Sequence, residues 1–176
     1  MNNNSSPDAD RKPLSSHGQL LDSEQFPMLQ GMPSVMIGVL NAGSNLMHVS
    51  DGVELLQEGN TTHDLYFIAS GTVAITKHSE NGDVELRRLG AGDVFGEFGT
   101  LRGKARFASV RTIELSHIIR VKFSELQKVL EYDLDFRARL TQLMNSRILL
   151  SFIVTHPAFN GLSDAAVIDL ADRLSL

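Results

Sequence analysis

Glu97 and Arg106 stand nine positions apart on either side of a stretch rich in small residues, and together they carry the chemistry to hold a small anionic ligand. A guanidinium is a planar fork suited to phosphate oxygens. A carboxylate accepts hydrogen bonds from hydroxyls such as those of ribose. The stretch reads Phe95-Gly96-Glu97-Phe98-Gly99-Thr100-Leu101-Arg102-Gly103-Lys104-Ala105-Arg106-Phe107-Ala108-Ser109-Val110 and follows a Gly-Ala-Gly-Asp turn at 90–93. The expected local structure is a short turn of helix leading into a strand. The exposed N–H groups of a helix start attract anions. Gly96 and Gly99 are expected to let a ligand approach the backbone, so a phosphate joined to a ribose would use both ends of the stretch.

Other chemistries find less support. Gly90-x-Gly92-x-x-Phe95 has Phe where a dinucleotide fingerprint needs its third glycine. Gly99 to Gly103-Lys104 has three intervening residues where a phosphate loop has four, and Ala105 stands where Ser or Thr would hold magnesium. The six histidines, His17, His48, His63, His78, His117 and His156, include no i,i+4 pair and no HxH pair. A cupin-type metal barrel needs clustered His and carboxylates on its strands, so a metal site would require long-range convergence, and no metal is expected. There is no Gly-x-Ser-x-Gly elbow and no cysteine, which removes a serine nucleophile of that kind, cysteine nucleophiles, disulfides and iron–sulfur clusters. No catalytic residues are assigned.

The elements that must position the stretch are legible in the patterning. Nine of the 14 glycines fall between Gly52 and Gly103. Among them run short apolar–polar alternations: Val53–Gln57, Leu65–Ala69, Thr72–Lys77, Val84–Leu89, Phe107–Thr112 and Leu115–Lys122. Closely spaced strands with glycine turns predict an antiparallel sandwich or barrel. Asn81-Gly82 is expected to turn a tight hairpin. Upstream, the apolar positions between Gln19 and Gly43 predict short helices broken at Pro27 and Pro33. Downstream the period becomes helical, over Phe123–Glu131 and Asp133–Thr155, with Ser124 as a predicted N-cap and Asp133 and Asp135 suiting the start of the second helix. Arg147 interrupts the apolar stripe of that second helix. His156-Pro157 should stop it, and Ser163 should cap a further helix near Ala165–Leu174.

A chain of 176 residues accommodates one domain with appendages. Residues 1–18, polar and without the apolar core of a signal peptide, are expected to form a disordered leader. Residues 19–155 are read as the domain, and 156–176 as a linker or the start of a following domain. The longest apolar run, Ile148 to Val154, is far short of a membrane span. The formal charge of −5 disfavours a broad nucleic-acid face. The absence of disulfides makes a reducing, cytoplasmic setting the default.

Phe95-Gly96-Glu97 followed in register by Arg106-x-Ala108-Ser109-Val110 resembles the phosphate-binding cassette of the cyclic nucleotide-binding domain family, which includes catabolite-activator-type regulators and cAMP-dependent kinase regulatory subunits. Gln57-Glu58-Gly59, Leu65 to Gly71 and Leu89-Gly90-Ala91-Gly92-Asp93 are similar to the family's glycine turns, and the likeness covers roughly Met36 to Val154. It implies a mainly β fold, an antiparallel, jelly-roll-like β-roll with N-terminal helices and C-terminal hinge and lid helices. It implies cAMP, or alternatively cGMP, as regulatory ligand. By position, Arg106 would pair with the cyclic phosphate and Glu97 with the ribose 2′-hydroxyl. Backbone N–H groups near Gly96 and from Gly99 to Leu101 would complete the cradle, and Phe95, Phe98, Thr100, Phe107, Ala108 and Ser109 would lie close to the ligand. Gly99 and Thr100 depart from the family's common Ala-Leu.

The resemblance further implies a sensor that controls a C-terminal effector by rearranging its last helices. Leu140, Leu143 and Leu150 are then candidates for a seam, a lid or a homodimer contact through Asp133–Thr155, against the plainer reading of packing on the roll. A truncated DNA-binding regulator of the same fold is an alternative, disfavoured by the net charge and the lack of a basic recognition helix. A β-roll that has lost ligand binding is another, and the presence of both Arg106 and Glu97 argues against it.

Overall fold

The computed structural model describes residues 20–79 and 82–159 and, beyond them, residues 161, 163, 166, 169 and 170. The expected leader and most of the expected final helix lie outside the described residues, as does Asn81 of the expected hairpin turn. Among the described residues, eight strands form two antiparallel four-stranded sheets. One has the order β1 (Ser44–Val49), β8 (Ser116–Val121), β3 (Leu65–Ser70), β6 (Val94–Phe95). The other has the order β2 (Glu54–Leu56), β7 (Ser109–Thr112), β4 (Val73–Ser79), β5 (Gly82–Leu89). This is the predicted β-roll. The alternations had not marked β1 or β6 as strands, and β7 begins two residues later than expected because the backbone of Arg106 bonds to the loop at Gly59 and Asn60.

Two apolar layers result, and β3 serves both. Its successive side chains point to opposite faces. Leu65 and Phe67 meet Ile119 and Val121 beneath a helical layer that includes Phe26, Leu40, Leu126, Phe136 and Leu140. Tyr66 and Ile68 turn the other way, joining Val73, Leu89, Phe95, Val110 and Ile118 between the sheets. A strand covered on both faces reads as a continuous apolar run, as Leu-Tyr-Phe-Ile does here.

The helical layer contains a 3-10 turn at Pro27–Leu29, then α1 (Ser34–Ala42), α3 (Phe123–Tyr132) and α4 (Leu134–Thr155). A short α2 (Glu97–Arg102) lies within the cassette. Pro27 and Pro33 sit at helix starts, where a missing N–H costs nothing. The expected Ser124 cap of α3 is replaced by a distant one, for the Asp64 carboxylate accepts from the Phe123 N–H at 2.8 Å. Asp133 caps α4 through Phe136 N–H at 2.8 Å, and the Ser163 hydroxyl accepts from Ala166 N–H at 3.3 Å. The second carboxylate oxygen of Asp133 is buried without a partner among the described residues, which offsets part of the cap's value. Asp133→Ala should therefore cost only about 1 kcal/mol, read as a lowered urea midpoint with an unchanged m-value. Leu140 is fully buried and Leu143 packs against the same core, so these two take the plainer role.

Candidate functional site

Arg106 is 3% exposed and forms the floor of the cassette. Its Nε donates to Thr62 Oγ1 at 3.0 Å, one terminal nitrogen to Gly96 O at 2.7 Å, the other to Asp64 O at 2.8 Å. A guanidinium has five N–H donors, so these three bonds leave one on each terminal nitrogen. Burial pulls its pKa below the usual range, with Asp64 and Glu97 among the groups opposing that shift. The glycines explain how the side chain fits. A Cβ on Gly96 would lie 3.0 Å from an Arg106 terminal nitrogen, and one on Gly99 would lie 2.9 Å from it and 3.1 Å from Thr62 O. The sequence suggested that these glycines admit a ligand to the backbone, whereas the space they leave is occupied by Arg106 itself. Gly96 also has φ +93°, a conformation that side chains resist.

Glu97, 7% exposed, opens α2 and pairs with Arg147 of α4 at 3.1 Å. The same Arg147 nitrogen donates to Val94 O at 2.7 Å, while its Nε is buried with no partner among the described residues. Arg87 of β5 stands near enough that burial and the Arg147 charge both lower its pKa. The residue that interrupts the α4 stripe is thus the one that brings the helix to the cassette. That interruption was the available signal, although sequence reasoning gave Arg147 no role in the site.

An open, shallow cleft lies over these groups. Of the predicted residues, Phe95, Gly96, Glu97, Phe98, Gly99, Arg106, Phe107 and Ala108 line it, and Leu56, Ile75, Val110 and Arg147 join them. Thr100 and Ser109 do not. Thr100 Oγ1 donates to His63 O at 2.7 Å, and Ser109 Oγ accepts from Glu58 N–H at 3.0 Å. Thr100 N–H is likewise bonded, to Gly96 O, so the N–H groups free of helical acceptors are those of Glu97, Phe98 and Gly99. Phe98 and Phe107 meet with ring centres 5.0 Å apart. Lys77 stands 4.1 Å over the Phe107 ring and donates to Phe107 O and Glu58 Oε1, each at 2.8 Å.

The site is tied to the start of α3 through one residue. Asp64 accepts from Arg106 with its carbonyl, from Phe123 N–H with one carboxylate oxygen, and from Arg120 Nε with the other at 2.6 Å. A shift of Arg106 therefore bears on the loop whose carboxylate caps α3.

Known proteins resemble parts of this sequence and its fold. A cAMP-dependent protein kinase type II regulatory subunit of Drosophila melanogaster is 33% identical over 60 residues, 34% of this chain and 16% of that protein. The cAMP-activated global transcriptional regulator CRP of Salmonella typhimurium is 28% identical over 96 residues, 53% of this chain and 46% of that protein. The chain thus matches less than half the length of either. Among solved structures, the Thermus thermophilus catabolite activator protein superposes with a TM-score of 0.62 at 22% identity, covering 72% of this chain and 64% of that one, which shows a shared fold. The profile of the family described as "Cyclic nucleotide-binding domain" matches residues 46–133, a span that holds both Glu97 and Arg106. The chain belongs to the cyclic nucleotide-binding domain family.

Proposed function

We propose that the cleft binds a cyclic purine nucleotide, with cAMP preferred to cGMP, and that binding regulates an attached effector through α3 and α4. The observation that carries this reading is the buried Arg106 with donors to spare at the floor of a cleft whose rim holds Glu97. A cyclic phosphate matches the first group and a ribose hydroxyl the second. The relatives named as cAMP-dependent and cAMP-activated support the choice of ligand. Ser109 lies outside the cleft, its hydroxyl accepting from Glu58 N–H, and none of the described lining residues carries a hydroxyl to read a guanine.

Regulation is proposed through Arg147. A ligand that engages Glu97, or offers an acceptor to Arg147 Nε, changes what holds α4 at the cassette. It shifts the helix equilibrium by as much as it prefers one arrangement over the other. The domain acts as a regulatory module rather than as a catalyst, and a C-terminal effector and a homodimer through α4 belong to the same proposal.

The test is calorimetric titration of cAMP and cGMP into the parent and into Glu97→Gln. The glutamine keeps the side chain's shape and an acceptor oxygen but removes the charge facing Arg147. We expect saturable cAMP binding by the parent, weakened about tenfold in the variant, the share of one charged hydrogen bond. A parent that binds neither nucleotide would point to the roll that has lost its ligand.

A further inference from the structure

The face of β1, β8 and β3 that carries the helical layer is apolar at one end, where Leu65, Phe67, Ile119 and Val121 are buried, and ends at the other in a row of three polar side chains. His48 of β1 lies directly opposite His117 of β8, in the register that also pairs Leu46 with Ile119. Ser70 of β3 lies opposite His117 on its other side. That last placement depends on a break in register between Ile68 and Ser70. Without the extra residue Ser70 would point to the space between the sheets, and bulges of this kind re-aim a side chain. The extra carbonyl, Ala69 O, is satisfied by the Gln25 side chain at 3.0 Å.

The re-aimed hydroxyl sits 2.6 Å from His117 Nδ1. With Nδ1–H donating to Ser70 Oγ, His117 presents Nε2 as a free acceptor, the tautomer and anchoring that metal-bound histidines use. Nε2 of His117 and both ring nitrogens of the exposed His48 have no partner among the described residues. The two ring centres are 4.6 Å apart with the rings perpendicular. An ion about 2.0–2.1 Å from each nitrogen lies about 3.2 Å from each ring centre, so nitrogen–metal–nitrogen angles of roughly 90–110° separate the centres by about 4.5–5.2 Å. The observed spacing falls within that interval.

We propose that His48 and His117, with Ser70 as the positioning residue, form a binding site for one divalent transition-metal ion of the nickel, copper and zinc class. Imidazole suits these ions, and water completes the coordination. Among the described residues no cluster of three or more His, Asp or Glu exists to compete for the ion. The sequence separation of 69 residues hid the pair, and only the β1–β8 register brings it together. The site lies on the opposite face of the sheet from the nucleotide cleft and does not depend on that assignment.

The experiment titrates Ni2+ alone, then Zn2+ alone, into the parent protein and into His48→Ala, Ser70→Ala and His78→Ala, each first shown to be folded by circular dichroism. We expect one ion per chain in the parent and a loss of at least about tenfold in affinity in His48→Ala. Ser70→Ala should lose about tenfold through its effect on His117. His78→Ala, which alters an exposed histidine held by Asp83 at 2.9 Å, should bind as the parent does. Absence of one-to-one binding, or a His48→Ala protein that binds as tightly as the parent, overturns the proposal. Binding lost with His78→Ala but kept in His48→Ala does the same.

Discussion

Arg106→Ala should weaken cyclic nucleotide binding by about 2–4 kcal/mol, roughly 30-fold to 1,000-fold in dissociation constant. The side chain is the buried cation at the floor of the cleft, and its loss removes a charge-assisted contact to an anion in surroundings that screen poorly. The same change strips Gly96 O, Asp64 O and Thr62 Oγ1 of their donor, so folding suffers as well. Arg106→Lys separates the two effects. A lysine keeps the charge but has a compact head that cannot span Thr62, Gly96, Asp64 and a phosphate together. It should retain the native circular dichroism spectrum and still bind at least about tenfold more weakly than the parent. Calorimetry on both variants reads the result. Parent-like affinity in either would remove Arg106 from the binding site and with it the assignment of the cleft.

What the sequence revealed about this site follows from which groups are fixed locally. The span from Phe95 to Val110 contains the arginine, the carboxylate and the glycines at fixed spacing, so the cassette and most of its lining residues were readable. The purpose of the glycines was not. Whether Gly96 and Gly99 accommodate a ligand or a side chain depends on where the Arg106 guanidinium goes, and that is set by Thr62 and Asp64 more than forty residues upstream. The place of Thr100 and Ser109 in the stretch puts them near the ligand, yet neither lines the cleft, for Thr100 Oγ1 donates to His63 O and Ser109 Oγ accepts from Glu58 N–H. Arg147 registered only as a flaw in an apolar stripe, since its partner Glu97 is fifty residues away. The strands show the same division. β3 and β8 are apolar enough to stand out, while β6 is two residues long and exists because Tyr66 and Phe67 pair with it. β1, with Asn, His and Ser among its six residues, has weak strand preference and is held by its ladder with β8.

Gly71→Ala should be among the most destabilising single substitutions in the domain, at about 2–5 kcal/mol. Gly71 has φ +87°, where an alanine costs about 1–2 kcal/mol. Its added Cβ would also fall 2.7 Å from the Cα of Ser116, a backbone atom that cannot rotate aside. Relieving that clash means moving the start of β8 or the link from β3 to β4, and such overpacking costs about 1–3 kcal/mol more. The link joins one sheet to the other, so the strain is not confined to a loop. Against a typical stability of about 5–15 kcal/mol, the loss is large. Gly52→Ala supplies the comparison, because Gly52 has φ +76° and open space where the Cβ would go, leaving the backbone penalty alone. Urea denaturation of the two variants should therefore show a much lower midpoint for Gly71→Ala than for Gly52→Ala at similar m-values. Equal losses would mean that the approach of Gly71 to Ser116 contributes nothing. Gly71 does not line the cleft, so at temperatures where the variant remains folded its affinity for cyclic nucleotide should match the parent's, which separates a weakened scaffold from a damaged site.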